Sequence, residues 1–113
     1  MRAAGMAEQF QIDQRRERDG GFRLTLLGEL DMSVADDLEN RLEELKELHA
    51  AVRLDLSQLS FIDSTGIRIV TLAQLDANRN GWRFEVEREV GPAIRRPLEL
   101  LGLDQLLWSE TPD

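Results

Sequence analysis

"FIDSTGIRIV", residues 61–70, sets an acid, two hydroxyls and a glycine between two apolar stretches. An apolar run that ends on Asp63, Ser64, Thr65 and Gly66 and resumes at Ile67 reads as a strand handing over to a helix. Upstream, "AVRLDLS" (51–57) alternates Val52, Leu54 and Leu56, the period of a strand with one buried face. Downstream, at about 100° per residue, Ile69, Val70, Ala73 and Ala77 form one arc with Ile67 at its margin. A helix is therefore predicted from about Ser64 to Asn80, where "NRNG" stops it. Leu72 and Leu75 fall off the buried arc, on the side of Arg68 and Arg79. They form either a docking shoulder or a patch covered by a neighbouring helix.

The same reading extends to both ends of the chain. "FQID" (10–13) and "FRLTLLG" (22–28) flank Asp19-Gly20-Gly21, a hairpin signal. Ser33, with Asp36 three residues later, fits a helix N-cap, and Val34, Leu38, Leu42 and Leu45 continue as an amphipathic helix ending near His49. "WRFEVE" (82–87) alternates as a strand. "GPAIRRPLELLG" (91–102) is helical, with Pro92 at its first position and Gly102 at its C′ cap. "LDQLLW" (103–108) is read as a short closing strand. The order β–β–α–β–α–β–α–β implies a single α/β domain with a mixed, mostly parallel sheet and an N-terminal antiparallel hairpin. The domain is placed at 8–108, with 1–7 and 109–113 as flexible termini. Sites in such sheets gather past the carboxyl ends of strands, and Asp31, Asp63 and Ser64 all fall there.

Composition narrows the chemistry. The 113 residues carry 22 acidic and 14 basic side chains, a net charge of −8, which disfavours nucleic acid and anionic lipid. Cysteine is absent, so thiol chemistry and a cysteine zinc site are excluded. No run approaches the ~20 apolar residues of a membrane span, and a cytoplasmic protein with a protein partner is expected. The single histidine, His49, falls at the far end of its helix from Ser64, so a Ser/His/Asp triad is not expected. Neither a nucleophile elbow nor a Gly-rich phosphate loop is present. Asp31, Asp55 and Asp63 invite a magnesium pocket. The simpler expectation is that Asp55 bonds the turn at Ser57 and Asp63 caps backbone amides, with no metal and no cofactor. Ser64 at a helix start reads as an N-cap, and also as a position where a phosphate would meet the positive end of a helix.

"GELD" (28–31), "LDLSQLSFIDSTGI" (54–67) and "GWRFEVEREVGPAIRRPLELLGLDQLL" (81–107) together resemble the STAS domain of bacterial anti-sigma factor antagonists. The resemblance implies a non-enzymatic switch. In that family the serine after the aspartate is phosphorylated by an anti-sigma factor, a serine kinase of the histidine-kinase-like ATPase type. The unmodified antagonist binds the ATP- or ADP-loaded kinase and frees a sigma factor; phosphorylation ends binding and a serine phosphatase resets it. Carried over, Ser64 is the phosphoacceptor, and Asp31, Asp63, Thr65, Gly66, Arg68, Leu72 and Leu75 belong to the partner surface. The alternative within the family is a non-phosphorylated scaffold subunit of a transporter or signalling complex. Three departures stand out. Arg68 replaces a frequent second glycine, Pro97 lies inside the last helix, and the final helix usual in many members is expected to be missing or reduced.

Overall fold

The computed structural model describes residues 9–108, so the expected flexible termini lie outside the described residues. The elements are β1 (Gln11–Arg16), β2 (Phe22–Leu30), α1 (Ala35–Glu47), β3 (Val52–Asp55), β4 (Leu59–Ile62), α2 (Ser64–Asn80), β5 (Phe84–Val86), α3 (Pro92–Leu100) and α4 (Leu103–Trp108). The sheet runs β1-β2-β3-β5, with β4 joined to β2. Only β1 against β2 is antiparallel; the β2–β3, β2–β4 and β3–β5 pairs are parallel. This is the mixed, mostly parallel α/β domain that the alternation predicted.

The apolar period explains the layering. Leu24, Leu26 and Leu30 of β2, Val52 and Leu54 of β3, and Phe84 and Val86 of β5 share one sheet face. They form a single buried cluster with Leu38, Leu42 and Leu45 of α1 and Ile67, Ile69, Val70 and Ala77 of α2. α3 packs along β4, and α4 closes back on α2, α3 and β5. On the opposite sheet face, Arg23 joins Glu17 at 3.3 Å, Asp55 at 3.0 Å and Glu87 at 3.3 Å. The side-by-side helices are tied by Asp76, which receives the Lys46 ammonium at 2.6 Å and the Trp82 indole N–H at 2.8 Å. Those donors hold the Asp76 carboxyl below the usual carboxylate range, Lys46 foremost.

Two elements differ from the sequence reading. The strand expected at 51–57 ends at Asp55 as β3; the chain then turns at 56–58 and re-enters the sheet as a further strand, β4. β4 shows no clean alternation, since Leu59 and Ile62 are buried and Ser60 and Phe61 are exposed, so period counting passes over it. The β2–β4 ladder is irregular at Gly28/Glu29, and Gly28 has φ 90°, a conformation that favours glycine. "LDQLLW" is the helix α4, not a strand. Leu103 and Leu107 are one turn apart, Trp108 is buried, and its indole donates to the Val86 carbonyl at 2.9 Å. A short final helix is thus present. Pro97 is accommodated inside an unbroken α3.

Among the described residues, one buried side-chain polar atom is unsatisfied. The Thr71 hydroxyl is enclosed within α2 without a hydrogen-bond partner, which costs stability. Thr71→Val should raise the midpoint of thermal unfolding, by the equivalent of about 1 kcal/mol. A lower midpoint would show that the hydroxyl has a partner in solution.

Candidate functional site

At the carboxyl end of the sheet, β2 and β4 stop side by side, at Leu30 and Ile62, and the chains beyond them meet. The Asp63 amide donates to the Leu30 carbonyl at 3.1 Å. Its side chain is the N-cap of α2: one carboxylate oxygen accepts the Gly66 amide at 2.9 Å. The other accepts the Met32 amide at 3.1 Å, across the gap to the β2–α1 loop. Asp63 thus satisfies an orphan helix donor and a loop donor at once.

Ser64 is therefore not the cap, as the sequence suggested, but the first helical residue. It is exposed, its hydroxyl free of any capping duty. Thr65 beside it is half-buried. Gly66 is buried for a steric reason: a Cβ there would lie 2.7 Å from Leu30 Cγ, 2.9 Å from Ile62 Cγ1 and 2.9 Å from the Leu30 carbonyl oxygen. The glycine lets α2 press its first turn against both strand ends.

Asp31 holds its own loop. Its carboxylate accepts the Ser33 hydroxyl at 2.6 Å and the Ser33 amide at 3.0 Å, and the hydroxyl bond chiefly holds the acid below its usual range. This corrects the predicted Ser33 N-cap. The Ser33 hydroxyl turns back to Asp31, and α1 starts after Val34 with no side-chain cap. Asp55 does not join Asp31 and Asp63; it accepts the Ser57 amide at 2.9 Å and pairs with Arg23. Among the described residues no cluster of His, Cys, Asp or Glu could hold a metal, and no helix is long and apolar enough to cross a membrane. His49 is exposed, two residues past the end of α1.

Arg68 follows Ser64 by one turn, exposed and without an ion pair among the described residues. Leu72 and Leu75 continue that outer stripe at 47% and 40% exposure, so no neighbouring helix covers them. Leu72 borders a groove of about 230 Å³ between α1 and α2, lined also by Leu42, Ile69, Ala73 and Trp82. Sequence periodicity missed two further apolar groups beside the α2 mouth, Met32 at 76% and Phe61 at 46% exposure. The only signal for them is position: one follows Asp31 directly and the other precedes Asp63 by two residues.

A mixed sheet whose strand ends present a capped, serine-bearing helix mouth defines a small α/β domain. The family model described as "Mlab, STAS domain" matches residues 14–108, and the chain belongs to that STAS-domain family. Its fold is shared with an anti-sigma factor antagonist from Mycobacterium paratuberculosis: TM-score 0.72, 28% identity, 96% of this chain and 88% of that chain covered. The phosphorylated form of the Bacillus cell fate determinant SpoIIAA has the same fold, with TM-score 0.65, 21% identity and coverage of 91% and 92%. Unphosphorylated SpoIIAA gives TM-score 0.68 at 22% identity, covering 91% of this chain and 89% of that one.

Gly66→Ala should destabilise the domain by about 1–3 kcal/mol in denaturant unfolding, since two side chains and a carbonyl must shift. An unchanged midpoint would mean that the strand ends yield freely. Leu72→Ala and Leu75→Ala should each cost no more than about 1 kcal/mol, against about 2–5 for a buried leucine. A larger loss would show that both are covered in solution.

Proposed function

We propose that this chain is an anti-sigma factor antagonist that works as a phosphorylation switch at Ser64. The observation that carries the reading is the division of labour between Asp63 and Ser64. The acid caps α2 and latches the adjoining loop, leaving the serine hydroxyl exposed at the first helical position. The likeness to the mycobacterial antagonist and to a protein known in phosphorylated and unphosphorylated forms supports it.

In this reading the partner is an anti-sigma factor with serine kinase activity. The unmodified domain docks through the α2 mouth, with Asp31, Asp63, Ser64, Thr65, Gly66, Arg68, Leu72 and Leu75 in the contact, and so releases the sigma factor. The Ser64 hydroxyl oxygen attacks the γ-phosphorus of the kinase's ATP. The oxygen–phosphorus bond forms as the β–γ bridging bond breaks; ADP is the leaving group and stays bound to the kinase, and the hydroxyl proton passes to a base of the kinase. The new phosphate, at about −1.5 to −2 charge, then faces the phosphates of the retained ADP. Like charges in a partly desolvated interface repel by several kcal/mol, so the complex separates. A serine phosphatase restores the hydroxyl. The domain performs no chemistry of its own and acts in the cytoplasm, where the kinase's ATP is.

The test is phosphopeptide mapping after incubation with the cognate ATPase-type kinase and Mg-ATP. One phosphate on Ser64, absent from Ser64→Ala, is expected. Asp63→Asn should fold and be modified more slowly, because the helix start is held less firmly against the loop. A chain that stays unmodified yet binds a transporter or signalling complex through the same surface would replace this reading with the scaffold alternative.

A further inference from the structure

A phosphate on Ser64 would enter a mouth that already holds negative charge. The Asp63 carboxylate occupies the Gly66 and Met32 amides, and the Asp31 carboxylate occupies the Ser33 amide and hydroxyl. The positive end of the α2 dipole is therefore shared with an acid before any modification takes place. One carboxylate, Asp63, directly precedes the serine, and a second, Asp31, lies in the loop that Asp63 latches through the Met32 amide. A dianion added there needs a partner that the backbone does not supply.

Arg68 has the position and the freedom to be that partner. It lies four residues after Ser64 on the same helix, the spacing that puts two side chains on one face. Helical side chains lean toward the N-terminus, so a long residue at i+4 extends back over the turn that carries residue i. Arg23, Arg53 and Arg95 are committed to carboxylates, whereas Arg68 makes no ion pair or hydrogen bond with any described residue. Its guanidinium is exposed and carries donors in a planar fork that suits phosphate oxygens.

We propose that Arg68 is the clasp for the modified serine: once Ser64 carries a phosphate, the Arg68 guanidinium pairs with it across one turn of α2. The proposal rests on the reading of Ser64 as a phosphoacceptor, and deepens it. The clasp offsets the repulsion from Asp31 and Asp63, so the phosphorylated domain keeps its fold. It also holds the phosphate along the outer stripe leading to Leu72 and Leu75. Glycine at position 68 would offer no such partner.

The test uses phosphoserine installed at position 64 by genetic-code expansion, so that no kinase is required. The phosphate is titrated by ³¹P NMR in the otherwise wild-type chain and in Arg68→Gln and Arg68→Lys. Asp31 and Asp63 are common to all three, so differences report residue 68. In low salt the phosphate should ionise at lower pH in the wild type than in Arg68→Gln, by about 0.15–0.4 pH, the equivalent of one exposed i,i+4 ion pair. Arg68→Lys should fall between them, and about 1 M salt should shrink the gap. Thermal unfolding of the unmodified chains should be nearly the same in all three, because Arg68 is exposed and makes no ion pair or hydrogen bond with any described residue. Superimposable titration curves for wild type and Arg68→Gln in low salt would overturn the clasp. A clear difference, in a chain that its kinase leaves unmodified, would uphold the clasp and reject only the switch.

Discussion

Everything at the carboxyl end of this sheet depends on where the Asp63 carboxylate sends its two oxygens. One closes the first turn of α2 on Gly66, and the other reaches the Met32 amide in a loop that belongs to a different strand. The sheet alone would leave β2 and β4 ending in parallel with nothing to fix the chains beyond them. The bridging acid turns those two exits into one surface. Gly66 completes the arrangement sterically, because only a residue without Cβ lets the helix start lie against Leu30 and Ile62. An acid, a serine and a glycine at this spacing are thus tied to one geometry: cap, exposed hydroxyl, close contact.

The fold that carries this site was legible from sequence in its main lines, because it rests on strong periods and short-range chemistry. The parallel sheet, the first hairpin, the span of α2, the buried arc of Ile69, Val70 and Ala77, and the bond from Asp55 to the Ser57 amide all follow from local pattern. What escaped was set by tertiary contact. β4 is four residues long with two neighbouring side chains exposed, and only pairing with β2 identifies it as a strand. α4 is six residues of mostly apolar sequence, too short for its period to speak; its docking on α2 and β5 decides its form. Ser33 and Ser64 both look like caps, since serine favours that role. In each case a nearby aspartate settles the matter: Asp31 draws the Ser33 hydroxyl away from α1, and Asp63 is itself the cap of α2.

The outer stripe of α2 reads as a sequence of functions laid along one helix face. An exposed hydroxyl comes first, then an exposed cation, then two half-exposed leucines, with Met32 and Phe61 near the start. The opposite stripe is committed to the core. A change of charge at Ser64 can therefore alter what the surface binds while the packing beneath it stays intact. In the proposed switch the domain therefore does not need to move in order to change its affinity.

The switch is tested most directly by calorimetry of one preparation of the chain with the cognate kinase and ADP, before and after stoichiometric modification of Ser64. Unmodified chain should bind saturably, and the phosphorylated chain at least about a hundredfold more weakly, as repulsion between anionic groups at an interface requires. Equal affinity for the two forms would contradict the switch.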